Sequence, residues 1–258
     1  MSPGLASTPR WAVRAPIDAG LVIAYFADGT QLQLSAKSLS GILNGSLTSW
    51  DDPQIHKDNP NLTLTAQPIV VSPEADANAL QSVVDWMKRL YPGFSNTKIK
   101  GTAGFELDPT TLTDGSVAIM TYSSATTAGL TGASIVTGSD PIKDLVSPGN
   151  DNIKSAASQY DVKHTAAGTE VTLNPSKIPT PPLGADVAPL PYQAVFTVNL
   201  TICGAENLTN RAVAKFLLRQ DQQGAIASSS VLSLPETVRV ESLIDVSKGL
   251  PSAKPATN

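Results

Sequence analysis

The sequence predicts an α/β fold in which a mixed sheet is flanked by helices. Two stretches, Leu21–Phe26 and Gly115–Tyr122, have the length and apolar content of buried strands. A third strand region, Leu62–Val71, leads directly into a stretch with the apolar spacing of a helix. A strand that passes directly into a helix is the basic step of α/β folds, and this step carries the prediction.

The chain before Leu21 is predicted to be an extended lead, because residues 1–19 are broken by Pro3, Pro9 and Pro16. After the first strand, Asp28-Gly29 predicts a turn. Gln31–Leu34 then alternates as a short second strand.

The stretch from Ser38 to Pro60 predicts two short helices joined by a turn. Three apolar residues share one face of the first helix, and a following glycine that can adopt positive φ ends it: Leu39, Ile42, Leu43 and Gly45. Trp50 offers a large apolar side chain to the core. Asp51-Asp52-Pro53 places carboxylates where the first backbone N–H groups of a second helix lack partners.

The longest predicted helix follows the third strand. Ser72 is the expected N-cap and Pro73 the first helical residue. One face of this helix is apolar at helical spacing and is formed by Leu80, Val83, Val84, Met87 and Leu90. Tyr91-Pro92-Gly93 is expected to end the helix.

The C-terminal half contains weaker signals. A helix is predicted at Asp151–Ala157, and the proline-rich residues 161–191 predict an irregular connection. Tyr192–Cys203 alternates as a half-buried strand. Asn207–Asn210 is then expected to cap a helix that ends near Gly224 and points Val213, Phe216 and Leu217 inward.

Composition narrows the class of protein. The chain has 258 residues, 41% of them hydrophobic and only 16% charged, and its formal net charge of −4 argues against nucleic acid as a partner. No apolar run is long enough to span a bilayer, so we expect membrane attachment only through segments outside this chain. Met1–Pro9 lacks the basic and apolar regions of a signal peptide. The single cysteine, Cys203, permits no internal disulfide and is expected to be a small buried side chain in a strand.

The helical pair resembles a segment of the phosphate-binding proteins of bacterial ABC importers, the PstS family. The matching residues occur in the family's order at compatible spacings and are Gly45, Trp50, Asp52, Pro53, Ile55, Asn59 and Pro60. Similar elements continue through Gly115–Tyr122, Asp151–Ala157 and Leu232–Pro235.

The resemblance covers roughly residues 20–240 and implies a lobe of the type II periplasmic-binding-protein fold, with a reduced or incomplete first lobe. It divides the chain into an extended lead at 1–19 and a second lobe at 20–190. A returning C-terminal segment follows at 191–245, and a disordered tail or linker at 246–258.

The resemblance places a ligand at the turn after Val71, where the family reads approximately "arg-ser-asp-gly-ser-gly-thr". In this chain Pro73 stands at the position of the arginine, and Ala77-Asn78-Ala79 replaces ser-gly-thr. A helix N-terminus attracts anions. Glu74 and Asp76, however, would each oppose a bound charge by about 4 kcal/mol at about 4 Å and an effective dielectric near 20.

We therefore expect this turn to be a capped helix start without phosphate. Phosphate capture is one alternative. Binding of a neutral or cationic ligand is another, and the candidate ligand-binding residues are Ser72, Glu74, Asp76 and Asn78.

No motif predicts an enzyme. The chain has two histidines, His56 and His164, and lacks a nucleophile elbow, a P-loop and a dinucleotide-binding glycine motif. Asp51-Asp52 could serve as an acid/base pair, but adjacent carboxylates before a proline are more often helix caps. We predict no catalytic residue, no metal site and no cofactor.

The predicted function is a non-enzymatic, PstS-like domain of the bacterial cell envelope, located outside the cytoplasm and acting as an interaction or scaffolding module. The alternative is the substrate-binding component of an ABC importer for phosphate or another small solute, with the rest of its site outside this chain. The expected partners are accordingly a small solute or anion, an envelope protein or a transporter.

Overall fold

A four-stranded mixed sheet lies at the centre of the computed structural model, which describes residues 11–165, 168–177, 190–202, 208–227 and 231–248. The strands are β1 (Trp11–Tyr25), β2 (Gln33–Ser35), β3 (Val70–Val71), β4 (Glu74–Asp76), β5 (Lys100–Thr102), β6 (Ser116–Thr121), β7 (Ser134–Val136), β8 (Leu145–Val146), β9 (Tyr160–Thr165), β10 (Gly168–Leu173) and β11 (Val195–Ile202). The helices are α1 (Ala36–Asn44), α2 (Pro53–Asp58), α3 (Ala77–Leu90), α4 (Tyr122–Thr127), α5 (Asn150–Ala157), α6 (Leu208–Leu217), α7 (Gln220–Ala227) and α8 (Glu236–Ser247). The predicted α/β class, a sheet flanked by helices, is confirmed.

The central sheet has the strand order β11-β1-β6-β3. β1 is long enough to change partners: its first part pairs antiparallel with β11, and from Gly20 it pairs antiparallel with β6. β3 pairs parallel with β6. The strand predicted from Leu21 therefore begins ten residues earlier, at Trp11. Pro16 does not interrupt it, because this residue falls in the register shift between Arg14 and Ile17, where its missing N–H costs no ladder bond.

The two helices predicted between Ser38 and Pro60 are confirmed as α1 and α2. Gly45 ends α1 with φ 81°, a left-handed conformation that favours glycine. Asp52 caps α2 by accepting the Gln54 N–H at 2.7 Å. Trp50, which lies between the two helices in sequence, is fully buried, and its Nε1 donates to the Gly115 carbonyl at 3.0 Å.

The predicted strand at Leu62–Val71 is wrong over most of its length, because only Val70 and Val71 pair with β6. Pro68 has no N–H to contribute to a ladder, and its one bridge is an isolated antiparallel contact with Ser49. Leu62 and Leu64 pack against the core from an irregular segment.

The irregular connection predicted for 161–191 is wrong in its first part, where β9 and β10 form an antiparallel hairpin. Val162, Val171 and Leu173 give this hairpin an alternating, partly buried face. The high proline content further along the segment concealed this alternation. Residues 178–189 and Cys203 lie outside the described residues.

The single helix predicted from Asn207–Asn210 to near Gly224 is divided into α6 and α7, and its predicted inner face is wrong except at the half-buried Leu217. Val213 and Phe216 are 47% and 48% exposed, whereas Ala214 and Leu218 are fully buried. The buried positions Ala214 and Leu218 are four residues apart, so they share one side of the helical turns, and Val213 and Phe216 lie on another. α6 is tied to α8 by the Arg211 guanidinium, which donates to the carbonyls of Val246 and Lys248.

Candidate functional site

Two helices begin at the same edge of the central sheet. β4 continues from β3 beside β6, and α3 starts where β4 ends. β6 ends at Thr121, opposite Gly20 of β1, and α4 starts there. We call this region the carboxyl edge. Helix N-termini carry unpaired N–H groups and about half a positive charge, and the carboxyl ends of strands are where α/β sheets usually bind ligands.

α3 begins at Ala77 with Asp76 as its N-cap, so the predicted start at Ser72-Pro73 is wrong. The backbone stays extended through this turn because Glu74–Asp76 pairs parallel with Lys100–Thr102. The Ser72 N–H is likewise used in strand-like pairing and donates to the Val117 carbonyl at 2.8 Å. Tertiary strand pairing thus overrides a local Ser-Pro capping signal.

The Asp76 carboxylate occupies the N-terminus of α3. Its Oδ1 accepts the N–H groups of Asn78 at 2.9 Å and Ala79 at 3.0 Å. Its Oδ2 accepts the Gly104 N–H at 3.2 Å from the loop after β5. Three donors that could face a bound anion are therefore bonded to one carboxylate of the chain itself.

The four candidate ligand-binding residues lie along this turn in different settings. Glu74 and Asp76 project from the same side of β4, because Ala75 between them is fully buried. The Thr102 hydroxyl lies 3.5 Å from Glu74 Oε1. Ser72 is half-buried and Asn78 is exposed. No lysine or arginine of the described residues hydrogen-bonds to Glu74 or Asp76, although the exposed Lys100 is the ladder partner of Glu74 in β5. The two carboxylates therefore outnumber the one ammonium group beside them.

Asp18 is a second carboxylate at the carboxyl edge. It is only 3% exposed and accepts the Ala19 N–H at 2.8 Å, the Ser123 N–H at 3.1 Å and the Ser123 hydroxyl at 2.5 Å. Burial raises the pKa of Asp18, and these hydrogen bonds oppose that rise without cancelling it. Thr121 completes the start of α4 by accepting the Ser124 N–H at 3.1 Å. Sequence reasoning missed Asp18, whose only sequence signal is an aspartate just before an apolar strand.

Gly20 lets α3 approach the sheet closely at this edge. A Cβ at this position would lie 2.2 Å from the Ala79 carbonyl oxygen and 2.7 Å from the Ser82 hydroxyl. The Tyr192 hydroxyl donates to the Gly20 carbonyl at 3.0 Å, and its ring meets Trp86 of α3 edge-on at 4.7 Å. Complete burial raises the pKa of Tyr192. The segment before β11 is therefore locked onto the same edge.

Asp51, Asp52 and His56, which were also considered in the sequence, lie away from this site in and before α2, and the side chain of His164 is outside the described residues. Asp52 caps α2, and Asp51 accepts the Ser49 hydroxyl at 2.5 Å. His56 lies in α2 and is half-buried. Among the described side chains, no three His, Cys, Asp or Glu residues are grouped closely enough to hold a metal ion.

Comparison with known proteins identifies the fold. No protein-family model matches the sequence of this chain, and no curated protein sequence matches it. Solved structures do match. A high-affinity periplasmic phosphate-binding protein, PfluDING, solved with bound phosphate, is 16% identical with a TM-score of 0.55; the match covers 90% of this chain and 70% of that protein.

Two further structures agree. The phosphate-binding protein from Stenotrophomonas maltophilia is 13% identical with a TM-score of 0.54, and the match covers 94% of this chain and 73% of that one. The ancestral soluble variant of the Human Phosphate Binding Protein is 17% identical with a TM-score of 0.54, and the match covers 90% of this chain and 70% of that protein. The chain therefore has a PstS-like fold, the fold of the phosphate-binding proteins. Part of each of these proteins has no counterpart in it.

Proposed function

We propose that this chain is a non-enzymatic, PstS-like solute-binding-type domain whose turn at α3 does not take phosphate. It acts as an interaction or scaffolding module of the bacterial cell envelope, outside the cytoplasm. One observation carries the proposal: the Asp76 carboxylate accepts the three N–H groups of Asn78, Ala79 and Gly104.

Electrostatics supports this reading. A dianion at the start of α3 would have to displace Asp76 from its hydrogen bonds and would then lie close to its charge. At about 4 Å and an effective dielectric near 20, each opposing pair of unit charges costs about 4 kcal/mol. Glu74 projects from the same side of β4 and adds to that cost. Lys100, the exposed ladder partner of Glu74, offsets only part of that cost, because solvent screens its charge.

The proposed location of the domain outside the cytoplasm is based on its fold. PfluDING is periplasmic, and the domain proposed here shares its fold at low identity. No helix among the described ranges is both long and apolar enough to cross a bilayer.

The test compares the phosphate binding of two variants, each of which lacks one N-cap aspartate. Calorimetric titration of the wild-type chain with inorganic phosphate should give no binding heat. Asp76→Ala frees three N–H groups and removes one negative charge, so it should gain weak phosphate binding. Asp52→Ala is the matched control, because it also removes an N-cap, at a cost of about 1 kcal/mol, but lies away from the carboxyl edge. Micromolar binding by the wild-type chain, or equal behaviour of the two variants, would contradict the proposal.

The alternative function is the substrate-binding component of an ABC importer, with the remainder of its site outside this chain. The phosphate-binding proteins that share the fold favour it. A thermal-shift screen of the full-length protein against anions and small metabolites separates the two functions. A ligand that raises the melting temperature in proportion to the logarithm of its concentration favours the receptor. A full-length protein without such a ligand favours the scaffold.

A further inference from the structure

A groove lies between the last turn of α5, the segment before α8 and Ile17 of β1, the chain neighbour of Asp18. Its volume is about 330 Å³, near the lower end of the range for small-molecule pockets. Ile17, Ala157 and Leu234 provide buried apolar walls, and most of the lining surface is apolar. Polar groups reach the groove from Lys154, Ser158, Ser233, Glu236 and Thr237.

The walls of this groove are held in place. Ile17 and Leu232 exchange two backbone hydrogen bonds of 2.8 and 2.9 Å, which fix the start of the segment before α8 to β1. Two residues further on, the Leu234 N–H donates to Oε1 of the buried Gln223 at 2.8 Å. A groove with fixed walls binds a ligand without first ordering its own backbone.

The two charged residues that line the groove, Glu236 and Lys154, differ in their ion-pair partners. Glu236 is neutralised by Arg239, whose Nε donates to Glu236 Oε2 at 2.7 Å and whose second guanidinium nitrogen bonds the other carboxylate oxygen. Lys154 is exposed, and its ammonium forms no ion pair with a described carboxylate. The positive charge of Lys154 therefore lies beside the apolar walls of the groove without an ion-pair partner among the described residues.

We propose that this groove binds a small aliphatic monocarboxylate, with its hydrocarbon body against Ile17, Ala157 and Leu234 and its carboxylate beside Lys154. Inorganic anions fit the site less well, because the apolar walls would strip their hydration without replacing it. The proposal goes beyond the function proposed above and does not depend on it, since the groove includes no residue of the α3 turn.

The test uses the full chain at low ionic strength with 4-methylpentanoate as the probe. Backbone amide shifts in ¹⁵N-resolved NMR spectra should move at Ser158, Ser233 and Thr237. A probe of about eight heavy atoms should saturate in the high-micromolar to millimolar range. Lys154→Gln should weaken binding about five-fold, the effect of one exposed ion pair. Lys57 is an exposed lysine in the last turn of α2, and Lys57→Gln should leave affinity unchanged.

The neutral isostere 4-methylpentanamide separates charge from shape, and should bind more weakly than the acid. The proposal is overturned if the acid moves no groove amides at millimolar concentration. It is also overturned if acid and amide bind equally, or if Lys154→Gln and Lys57→Gln behave alike. Asp76→Ala should not change these shifts, so failure here is distinguishable from failure of the proposed function.

Discussion

Replacement of Asp18 by asparagine should leave the protein as stable as the wild type, or more stable, at neutral pH. Asparagine has the shape of the protonated carboxyl group. Its oxygen can accept the Ala19 and Ser123 N–H groups, and its amide can donate to the Ser123 hydroxyl, which can reverse its role. The substitution therefore keeps the hydrogen bonds and removes a charge from a site that is 3% exposed.

Asp18→Ala should behave differently, because it removes the acceptor and keeps the donors buried. Each unsatisfied buried donor costs about 1–3 kcal/mol. With two N–H groups and one hydroxyl affected, and some relaxation of the start of α4, a loss of roughly 2–5 kcal/mol is expected. At neutral pH the free energy of unfolding of Asp18→Asn should equal or exceed that of the wild type. The free energy of unfolding of Asp18→Ala should be well below both.

The pH dependence follows from the raised pKa of Asp18. The folded state holds this proton more tightly than the unfolded state, so the stabilisation is fully present below the unfolded pKa. It is lost as pH rises through the folded pKa. Urea unfolding of wild type and Asp18→Asn, from about pH 4 to about pH 7.5, isolates this group because every other titration is shared. The wild type should lose stability relative to Asp18→Asn as pH rises. A relative gain, or an Asn variant as unstable as the Ala variant, would refute the reasoning.

Two further predictions test packing by urea unfolding. Gly20→Ala should cost about 1–3 kcal/mol or more, because its Cβ would lie 2.2 Å from the Ala79 carbonyl. Adding Ser82→Ala should not restore stability, since the obstructing atom belongs to the backbone; a full rescue would show that the side chain sets the limit. Leu218→Ala should cost about 2–5 kcal/mol and Phe216→Ala less than about 1 kcal/mol, because only Leu218 is fully buried. The reverse order would mean that the helix presents its other stripe to the core.

The parts of the fold that the sequence predicted well are those fixed by local chemistry. Gly45 ends α1 because its left-handed conformation favours glycine, and Asp52 caps α2 with its own side chain. Both signals act within a few residues and need no distant partner. The β9–β10 hairpin was missed for the opposite reason: its short alternation was hidden beside the prolines that follow it.

At the candidate site, too, the sequence predicted the features that depend on neighbouring residues and missed those that depend on distant ones. The turn from Ser72 to Ala79 is the candidate site predicted from the sequence, and in the structure Glu74 and Asp76 project from one side of β4 on either side of the buried Ala75. The start of α3 was misplaced because its true cap depends on pairing of β4 with β5, about 26 residues apart in sequence. Asp18 meets Ser123 across 105 residues, and no local pattern announces such a contact.

The carboxylates of Asp76 and Asp18 both accept backbone N–H groups at the carboxyl edge, but they come from different elements. Asp76 is local to α3 and draws in Gly104, whereas Asp18 comes from β1 and bonds the first turn of α4. In each case backbone donors that would otherwise face solvent or a ligand are bonded within the chain. Because Asp18 and Asp76 belong to separate elements, removing both negative charges from the carboxyl edge requires two substitutions. Asp76→Ala alone should therefore give only weak phosphate binding, and adding Asp18→Asn, which removes the second charge but keeps its hydrogen bonds, should strengthen that binding further.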